Sequence, residues 1–237
     1  MKILLTNDDG INAIGIKKLY EALKKYGDVI VVAPNKEMSC SSHSAELRKP
    51  IKVEKIDENH YTLDTTPVDC VRLGNNLLGP FDYIFSGINN GLNVGTDVIY
   101  SGTLHAALEG TILGIKSAAI STDRNAFEIV DNELSNVLDY IFKNNLFDNS
   151  ATLNINFPSN KFKTSKGIKL THQGIKDFKT QFIKTDLGYI ENGSFITYDS
   201  NIDSDVYNSL YGYITITPIG KNLTNYDYLN KIKNKLQ

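Results

Sequence analysis

Met1-Lys2-Ile3-Leu4-Leu5-Thr6-Asn7-Asp8-Asp9-Gly10 opens the chain. Lys2 to Thr6 is a compact, largely apolar run of strand length, and Gly10 stops it. Two adjacent aspartates therefore sit where a strand runs out into a turn. In open α/β sheets, ligands bind beyond the carboxyl ends of the parallel strands. Carboxylates side by side at that edge repel each other unless a cation or a proton separates them. Asp8-Asp9 reads as half of a divalent-metal site or, equally, as an acidic turn serving solubility and Asx-type hydrogen bonds.

Moving outward, the first half alternates strand and helix. Ile16, Leu19, Leu23 and Tyr26 share one helical face, closed by Gly27. Val29-Ile30-Val31-Val32-Ala33 is continuously apolar, as a strand buried on both faces must be, and Pro34 stops it. A polar loop from Asn35 to Ser44 leads to strand-like runs at Ile51–Ile56 and Tyr61–Asp64. Pro67 opens a helix through Val68, Val71, Leu73 and Leu77. Phe81–Ser86 is a strand ended by Gly87, then a Gly-rich polar segment runs to Tyr100. A helix from Ser101 to about Leu113, a strand at Ala118–Ser121, a helix over about Ala126 to Asn145 and a strand at Ala151–Asn156 follow. This alternation implies βαβ units with right-handed crossovers. The expected fold is α/β, a Rossmann-like, doubly wound and mainly parallel sheet over residues 1–157.

The pattern changes near Pro158. Short β-prone runs appear at Ile168–Thr171, Tyr189–Ile190, Phe195–Tyr198 and Tyr213–Thr217, with turns at Gly188 and Gly193. They read as hairpins projecting from the sheet, followed by a terminal helix from Tyr226 to Leu236 whose Lys231, Lys233 and Lys235 face solvent. Isolated hairpins are marginal in water. Six of the 13 tyrosines lie between Tyr198 and Tyr228, which suits an interface. Residues 158–237 are thus expected to pack on a partner subunit within one single-domain chain.

Composition narrows the function classes. The 237 residues carry a net charge of −2, which gives no footprint for a nucleic-acid polymer. No apolar run is long enough to span a bilayer, and strand one starts where a signal peptide would lie. Two cysteines make no disulfide framework: Cys70 falls on the apolar face of a helix and Cys40 in a polar loop. The expectation is a cytoplasmic protein that does not engage a membrane.

Three loops follow three strands, and each is polar where a doubly wound sheet holds its ligand. They are Asn7-Asp8-Asp9-Gly10; Pro34 to Ser44, with Ser39, Ser41, Ser42, His43 and Ser44; and Ser86 to Gly95, with Asn89, Asn90 and Asn93. Mg²⁺ takes oxygen ligands, commonly one or two carboxylates plus water and phosphate. A Ser hydroxyl and an Asn carbonyl complete such a site. Ser101-Gly102-Thr103 begins a helix, where free N–H groups bind anions or where Ser101 is an ordinary N-cap.

Five segments in this order resemble the SurE (survival protein E) family of 5′-nucleotidases. They are Asn7-Asp8-Asp9-Gly10, Val31-Val32-Ala33-Pro34 before a Ser-bearing loop, Thr66-Pro67-Val68-Asp69-Cys70-Val71, Ser86-Gly87-Ile88-Asn89-Asn90-Gly91-Leu92-Asn93, and Tyr100-Ser101-Gly102-Thr103 with Ala106, Ala107 and Glu109. The resemblance is strong over about residues 1–122. It implies a phosphatase for nucleoside 5′-monophosphates, extending to 3′-nucleotides and short polyphosphate. It implies one divalent cation per subunit, Mg²⁺ or Mn²⁺, on Asp8, Asp9, Ser39 and Asn89. It places phosphate at Asn93, Ser101, Gly102 and Thr103, and it implies a homodimer or tetramer formed through residues 158–237. Two positions depart from the family pattern: Ser39-Cys40 stands for Ser-Gly, and Thr65-Thr66-Pro67 for Gly-Thr-Pro.

The expected chemistry is hydrolysis, with a water acidified by the cation attacking phosphorus in line with the leaving ribose oxygen. Asp8 and Asp9 are the catalytic carboxylates, and the sequence leaves open whether one of them acts as base or nucleophile. His43 and His105 fall near the proposed phosphate; His60 and His172 read as surface or sheet-edge residues. A phospho-acceptor receiver domain also carries an acidic pair after strand one. Its phosphorylatable Asp and later Lys have no counterpart in Ser86-Gly87-Ile88-Asn89 and Thr122-Asp123-Arg124. A nucleotide-binding module without turnover is the other alternative, separated by a phosphate-release assay.

Overall fold

A strand that is apolar on both faces needs cover on both. In the computed structural model, which describes residues 1–159 and 161–236, β1 (Lys2–Thr6) is such a strand. Ile3 and Leu5 enter one buried cluster and Leu4 enters another on the opposite face. The elements that follow are α1 (Ile14–Leu23), β2 (Asp28–Pro34), β3 (Val53–Lys55), β4 (His60–Leu63), α2 (Pro67–Leu78), β5 (Tyr83–Asn90), a 3₁₀ turn (Gly95–Ile99), α3 (Gly102–Ile112), β6 (Lys116–Thr122), α4 (Phe127–Lys143) and β7 (Ala151–Phe157). Then come β8 (Ile168–Leu170), β9 (Lys176–Lys179), β10 (Phe182–Thr185), β11 (Gly188–Glu191), β12 (Ser194–Tyr198), α5 (Asp205–Leu210), β13 (Ile214–Gly220) and α6 (Tyr226–Lys235).

The nine-stranded sheet has the order β3-β4-β2-β1-β5-β6-β7-β13-β8. Its six central strands, β4 to β7, are all parallel. Renumbered in chain order they read 3-2-1-4-5-6, the Rossmann arrangement. The order reverses between β1 and β5, so the crevice at their carboxyl ends is where a ligand belongs. Asp8 and Asp9 follow β1, and Asn89 lies at the end of β5.

Helices cover both faces. α1 and α4 lie on one, joined by Tyr26 stacked on Phe142 at 4.5 Å. α2 and α3 lie on the other, against Leu4, Val32, Ile84 and Ala119. Thr66 caps α2 by accepting the Asp69 N–H at 3.2 Å, and Pro67 takes the first helical position. α3 is buried along most of its length.

Several expectations need correction. Ile168–Thr171 and Tyr213–Thr217 do not project as hairpins: β13 pairs antiparallel with β7, and β8 pairs parallel with β13, so the main sheet runs past Pro158. β5 passes through Gly87 to Asn90, with a register shift against β6 between Gly87 and Asn89. The Gly87–Ile88 peptide is cis. Leu77 is exposed; Val68, Cys70, Val71 and Gly74 form the buried side of α2. β9, β10 and α5 were not expected. The Tyr189–Ile190 run is β11, paired with β10, and β12 pairs with β9 in two separate two-stranded ribbons. The side chains of Phe195–Tyr198 lie outside the described residues. Among the described residues, no helix is long and apolar enough to cross a membrane.

Candidate active site

β1 carries its chain straight into the crevice and leaves Asp8 almost wholly buried at its end. Asn7 tightens the turn by donating through Nδ2 to the Gly10 carbonyl at 2.9 Å. The N-terminus of α3 meets Asp8 head-on. The Thr103 N–H donates to Asp8 Oδ2 at 3.0 Å, and the Thr103 hydroxyl donates to Asp8 Oδ1. This approach requires glycine at 102. A Cβ there would lie 2.4 Å from Ser41 Oγ and 2.9 Å from Asp8 Oδ2.

The charge at this point is not neutralised. Among the described residues, neither Asp8 nor Asp9 has a cationic partner. Burial pushes the Asp8 carboxyl from its ordinary 3.8 up to about 6; the Thr103 hydroxyl opposes the rise and the Asp9 charge adds to it. Asp9 is half-buried and accepts the Asn90 N–H at 3.2 Å. Burial raises its pKa too, with Glu37 adding repulsion. Asn89 donates through Nδ2 to the Gly91 carbonyl at 2.7 Å, which leaves its side-chain oxygen for a ligand. α1 starts against the same strand: a Cβ on Gly15 would lie 1.8 Å from the Ile88 carbonyl oxygen.

The serine loop is tied to this edge at several points. The Met38 N–H donates to the Asp8 carbonyl at 2.7 Å, and the Ser42 N–H donates to the Tyr100 carbonyl at 3.1 Å. Ser39 itself is exposed, and its hydroxyl donates to Glu37 at 2.6 Å. His43 pairs with Glu109 at 2.8 Å, and Arg72 reaches the other Glu109 oxygen at 3.5 Å. His105 stands edge-on to His43 with ring centroids 5.2 Å apart; burial lowers its pKa, and its Nδ1 faces the Ser101 carbonyl at 2.8 Å. The first histidine therefore tethers the loop. His60 opens β4 and packs on Tyr20, and His172 is exposed.

The structure thus brings together Asp8, Asp9, Asn89, Gly102 and Thr103, with Ser39 at the rim. Ser101 acts as the N-cap of α3, accepting the Leu104 N–H at 3.0 Å. Both Thr103 donors are committed to Asp8, so among the described residues the first-turn amide left without a protein partner is that of Gly102. Asn93 is buried behind the crevice. Its N–H donates to Asn156 at 2.8 Å, its amide donates to Ser121 at 2.9 Å, and its carbonyl accepts from Asn154 at 2.8 Å.

Residues 3–180 match the family model described as Survival protein SurE. The chain belongs to the SurE family. It is 39% identical to "5'-nucleotidase SurE" of Clostridium botulinum (strain Eklund 17B / Type B), covering 98% of both chains. It is 42% identical to "5'/3'-nucleotidase SurE" of Wigglesworthia glossinidia brevipalpis, over 99% of this chain and 97% of that protein. The crystal structure of the SurE protein from Aquifex aeolicus superposes with a TM-score of 0.85 at 35% identity over the whole of both chains. Against the SurE pattern, Cys40 keeps a left-handed backbone, φ 57°, at the position where the pattern has glycine. A side chain in this region of the backbone carries local strain.

Sequence reading passed over three supports of this SurE site. Asn154 and Asn156, polar residues inside buried β7, carry the Asn93 segment. Their signal was the alternation Leu153-Asn154-Ile155-Asn156. Asp69 accepts from the Glu46 N–H and from the Thr65 hydroxyl, both at 2.7 Å, fixing the far end of the serine loop. Asp205 in α5 accepts the Gly95 N–H and the Gly174 N–H, the latter at 2.7 Å.

Proposed function

We propose that this protein is a metal-dependent phosphomonoesterase that hydrolyses nucleoside 5′-monophosphates to nucleoside and phosphate. The observation that carries the reading is the Asp8 carboxylate, buried without a cation at the Rossmann switch point and aimed against the start of α3. The names of the relatives support the substrate class, and the Wigglesworthia name extends it to 3′-nucleotides. Short polyphosphate presents the same terminal phosphoryl group and belongs in the substrate panel.

The donor set fits a hard divalent cation, Mg²⁺ or Mn²⁺, one per subunit. Asp8 and Asp9 supply the carboxylates and Asn89 a carbonyl oxygen; the Ser39 hydroxyl joins by leaving Glu37. Such a cation, when bound, polarises a phosphoryl oxygen and acidifies a water. Asp8, with both oxygens fixed by Thr103, is the rigid side of the site. Among the described residues Asp9 accepts one hydrogen bond, from the Asn90 N–H on Oδ2, which leaves Oδ1 to act as the base. As the water oxygen forms its bond to phosphorus and the ester P–O bond breaks, the water's proton passes to Asp9. The ribose oxygen takes a proton from solvent. The Gly102 N–H and the positive end of α3 offset charge on the phosphoryl oxygens. Ser101 and Thr103 act by shaping that helix end, and Asn93 by holding the segment beside it.

The C-terminal segment supports self-association. Phe182, Ile183, Leu187, Tyr189 and Ile190 on the β10–β11 ribbon are exposed, and no residue of α6 is buried within the chain. A second copy of the chain covering these faces gives the homodimer or tetramer, which light scattering will measure.

The test is metal-dependent phosphate release by the wild type, Asp8→Asn and Asp9→Asn, on a chromogenic phosphate ester and a panel of nucleoside monophosphates. We expect release that EDTA abolishes and Mn²⁺ restores, lost in both variants. Near-wild-type turnover in either variant refutes the ligand assignment.

A further inference from the structure

Glu109 is a nearly buried carboxylate on α3 that has no part in the set Asp8, Asp9, Ser39 and Asn89. A charge taken out of water must be paired, and its two oxygens face different elements. Oε2 meets His43 Nε2 of the serine loop at 2.8 Å, and Oε1 meets Arg72 Nε of α2 at 3.5 Å. Arg72 also reaches Asp69 at 3.7 Å, and Asp69 accepts the Glu46 N–H at the far end of the same loop. His105, one turn before Glu109 on α3, packs edge-on to the His43 ring. The loop is thus gripped from α3 at His43 and from α2 at Glu46.

The loop needs that grip. Cys40 and Ser42 are both left-handed, with φ 57° and 50°, and neither is glycine. Such residues persist only where their surroundings hold them. Backbone anchors stand on either side, the Met38 N–H on the Asp8 carbonyl and the Ser42 N–H on the Tyr100 carbonyl. Among the described residues, the Ser39, Cys40 and Ser41 N–H groups between them have no protein partner, and His43 is the one side chain of residues 39–44 hydrogen-bonded to a helix. The Ser39 side chain bonds only within the loop, to Glu37. Its position is therefore set by the path of the chain around it.

α3 is what that path is measured against. Its first turn fixes Asp8 through Thr103. Ser41 packs against Gly102 in the same turn. Glu109 lies about 10 Å farther along, two helical turns on from Gly102. One rigid element therefore sets the spacing between the Asp8 carboxylate and the loop that carries Ser39.

We propose that Glu109 is a positioning residue of the site: by holding His43 it fixes the loop path that brings the Ser39 hydroxyl to the rim, and so sets the affinity for the divalent cation. This rests on the phosphatase reading above, by way of its cation. Glu109 acts through His43 and the loop, not on the cation or the substrate directly.

The test uses the full-length protein with Glu109→Ala, Glu109→Gln, His43→Ala and the double alanine change. Mn²⁺ binding is read by calorimetry, and loop order by amide hydrogen exchange over residues 38–46 in EDTA. We expect the Mn²⁺ dissociation constant to rise about tenfold in each single alanine variant, the scale for loss of a group that orients a metal ligand. Exchange should quicken over residues 38–46 and stay unchanged in β1 and β5. The double change should weaken Mn²⁺ no more than either alone, because both break one contact. Glu109→Gln keeps an oxygen that accepts from His43 and should retain most of the wild-type affinity. An unchanged Mn²⁺ constant in either single alanine variant overturns the proposal. So does faster exchange throughout α2, α3 and the sheet, which marks a role in folding alone. If the wild type itself binds no Mn²⁺, the cation reading falls and this proposal with it; a wild type and variants that bind Mn²⁺ equally overturn the Glu109 role alone.

Discussion

Removing divalent cations should leave a protein whose stability falls as pH rises from 5 to 8, and Asp8 should be the reason. Its carboxyl titrates near 6 in the folded chain against 3.8 ordinarily. A folded state that holds its proton more tightly is favoured at low pH, and it loses that advantage as pH climbs through the window between the two values. The full difference is about 3 kcal/mol. About 1.4 kcal/mol of it falls between pH 5 and pH 8, which at roughly 2–4 °C per kcal/mol is about 3–6 °C in melting temperature for a chain of this size. Asp8→Asn has no proton to lose and should flatten that part of the slope. Mn²⁺ should stabilise the wild type more at pH 8 than at pH 5, since protonated Asp8 must first release its proton to become a ligand. Thermal melts of wild type and Asp8→Asn at pH 5, 6, 7 and 8, in EDTA and in Mn²⁺, decide it. Identical slopes for the two proteins in EDTA would refute the reasoning, because the uncompensated carboxylate would then lie elsewhere.

Gly102→Ala places a methyl against Ser41 Oγ and Asp8 Oδ2; phosphate release should drop at least about 100-fold, the scale of a misplaced catalytic geometry, and retained activity would show that α3 can withdraw freely. Cys40→Gly relieves a left-handed residue, φ 57°, and should raise stability by about 1 kcal/mol in urea melts, with kcat unchanged. Asp205→Ala strands the Gly95 and Gly174 N–H groups and should cost about 2–3 kcal/mol; a neutral melt would place the anchor of that turn elsewhere.

Much of the parallel core was legible because the code there is local. Val29–Ala33 is apolar without alternation, which only a doubly covered strand explains, and Ile129, Leu134, Val137, Leu138 and Ile141 repeat with helical spacing. The acidic pair was legible because it follows β1 directly. What the sequence hid was pairing. The Tyr213–Thr217 run reads as a strand, but nothing in its residues tells it to enter between β7 and β8 as part of β13. That choice depends on partners some 60 and 45 residues away. α5 has six residues, too few for a helical period to declare itself. The role of Thr103 was hidden for another reason: the residues suggested free helix amides, whereas the fold sets an unpaired carboxylate against them.

Two other features hidden in the sequence, the asparagines of β7 and the short helix α5, meet at one loop. The segment from Asn93 to Asp97 borders the crevice and is held from both sides. Asn154 and Asn156 grip Asn93 from the core. From the other side, Asp205 takes the Gly95 N–H, Gln173 donates to the Gly95 carbonyl at 3.0 Å, and Lys176 pairs with Asp97. The second set comes entirely from the C-terminal region, the same region whose β10–β11 ribbon and α6 expose their apolar faces. Backbone order beside the site therefore depends on how α5 and β9 sit, and any copy of the chain that docks on this region bears on their position. If a second copy docks here as proposed, its route to the site loop runs through Asp205, a buried carboxylate whose pKa burial raises against the pull of its backbone donors. A carboxylate held this way is sensitive to loss of cover, so on the proposed assembly the change at this edge should register in the Asn93–Asp97 loop before it registers in the sheet.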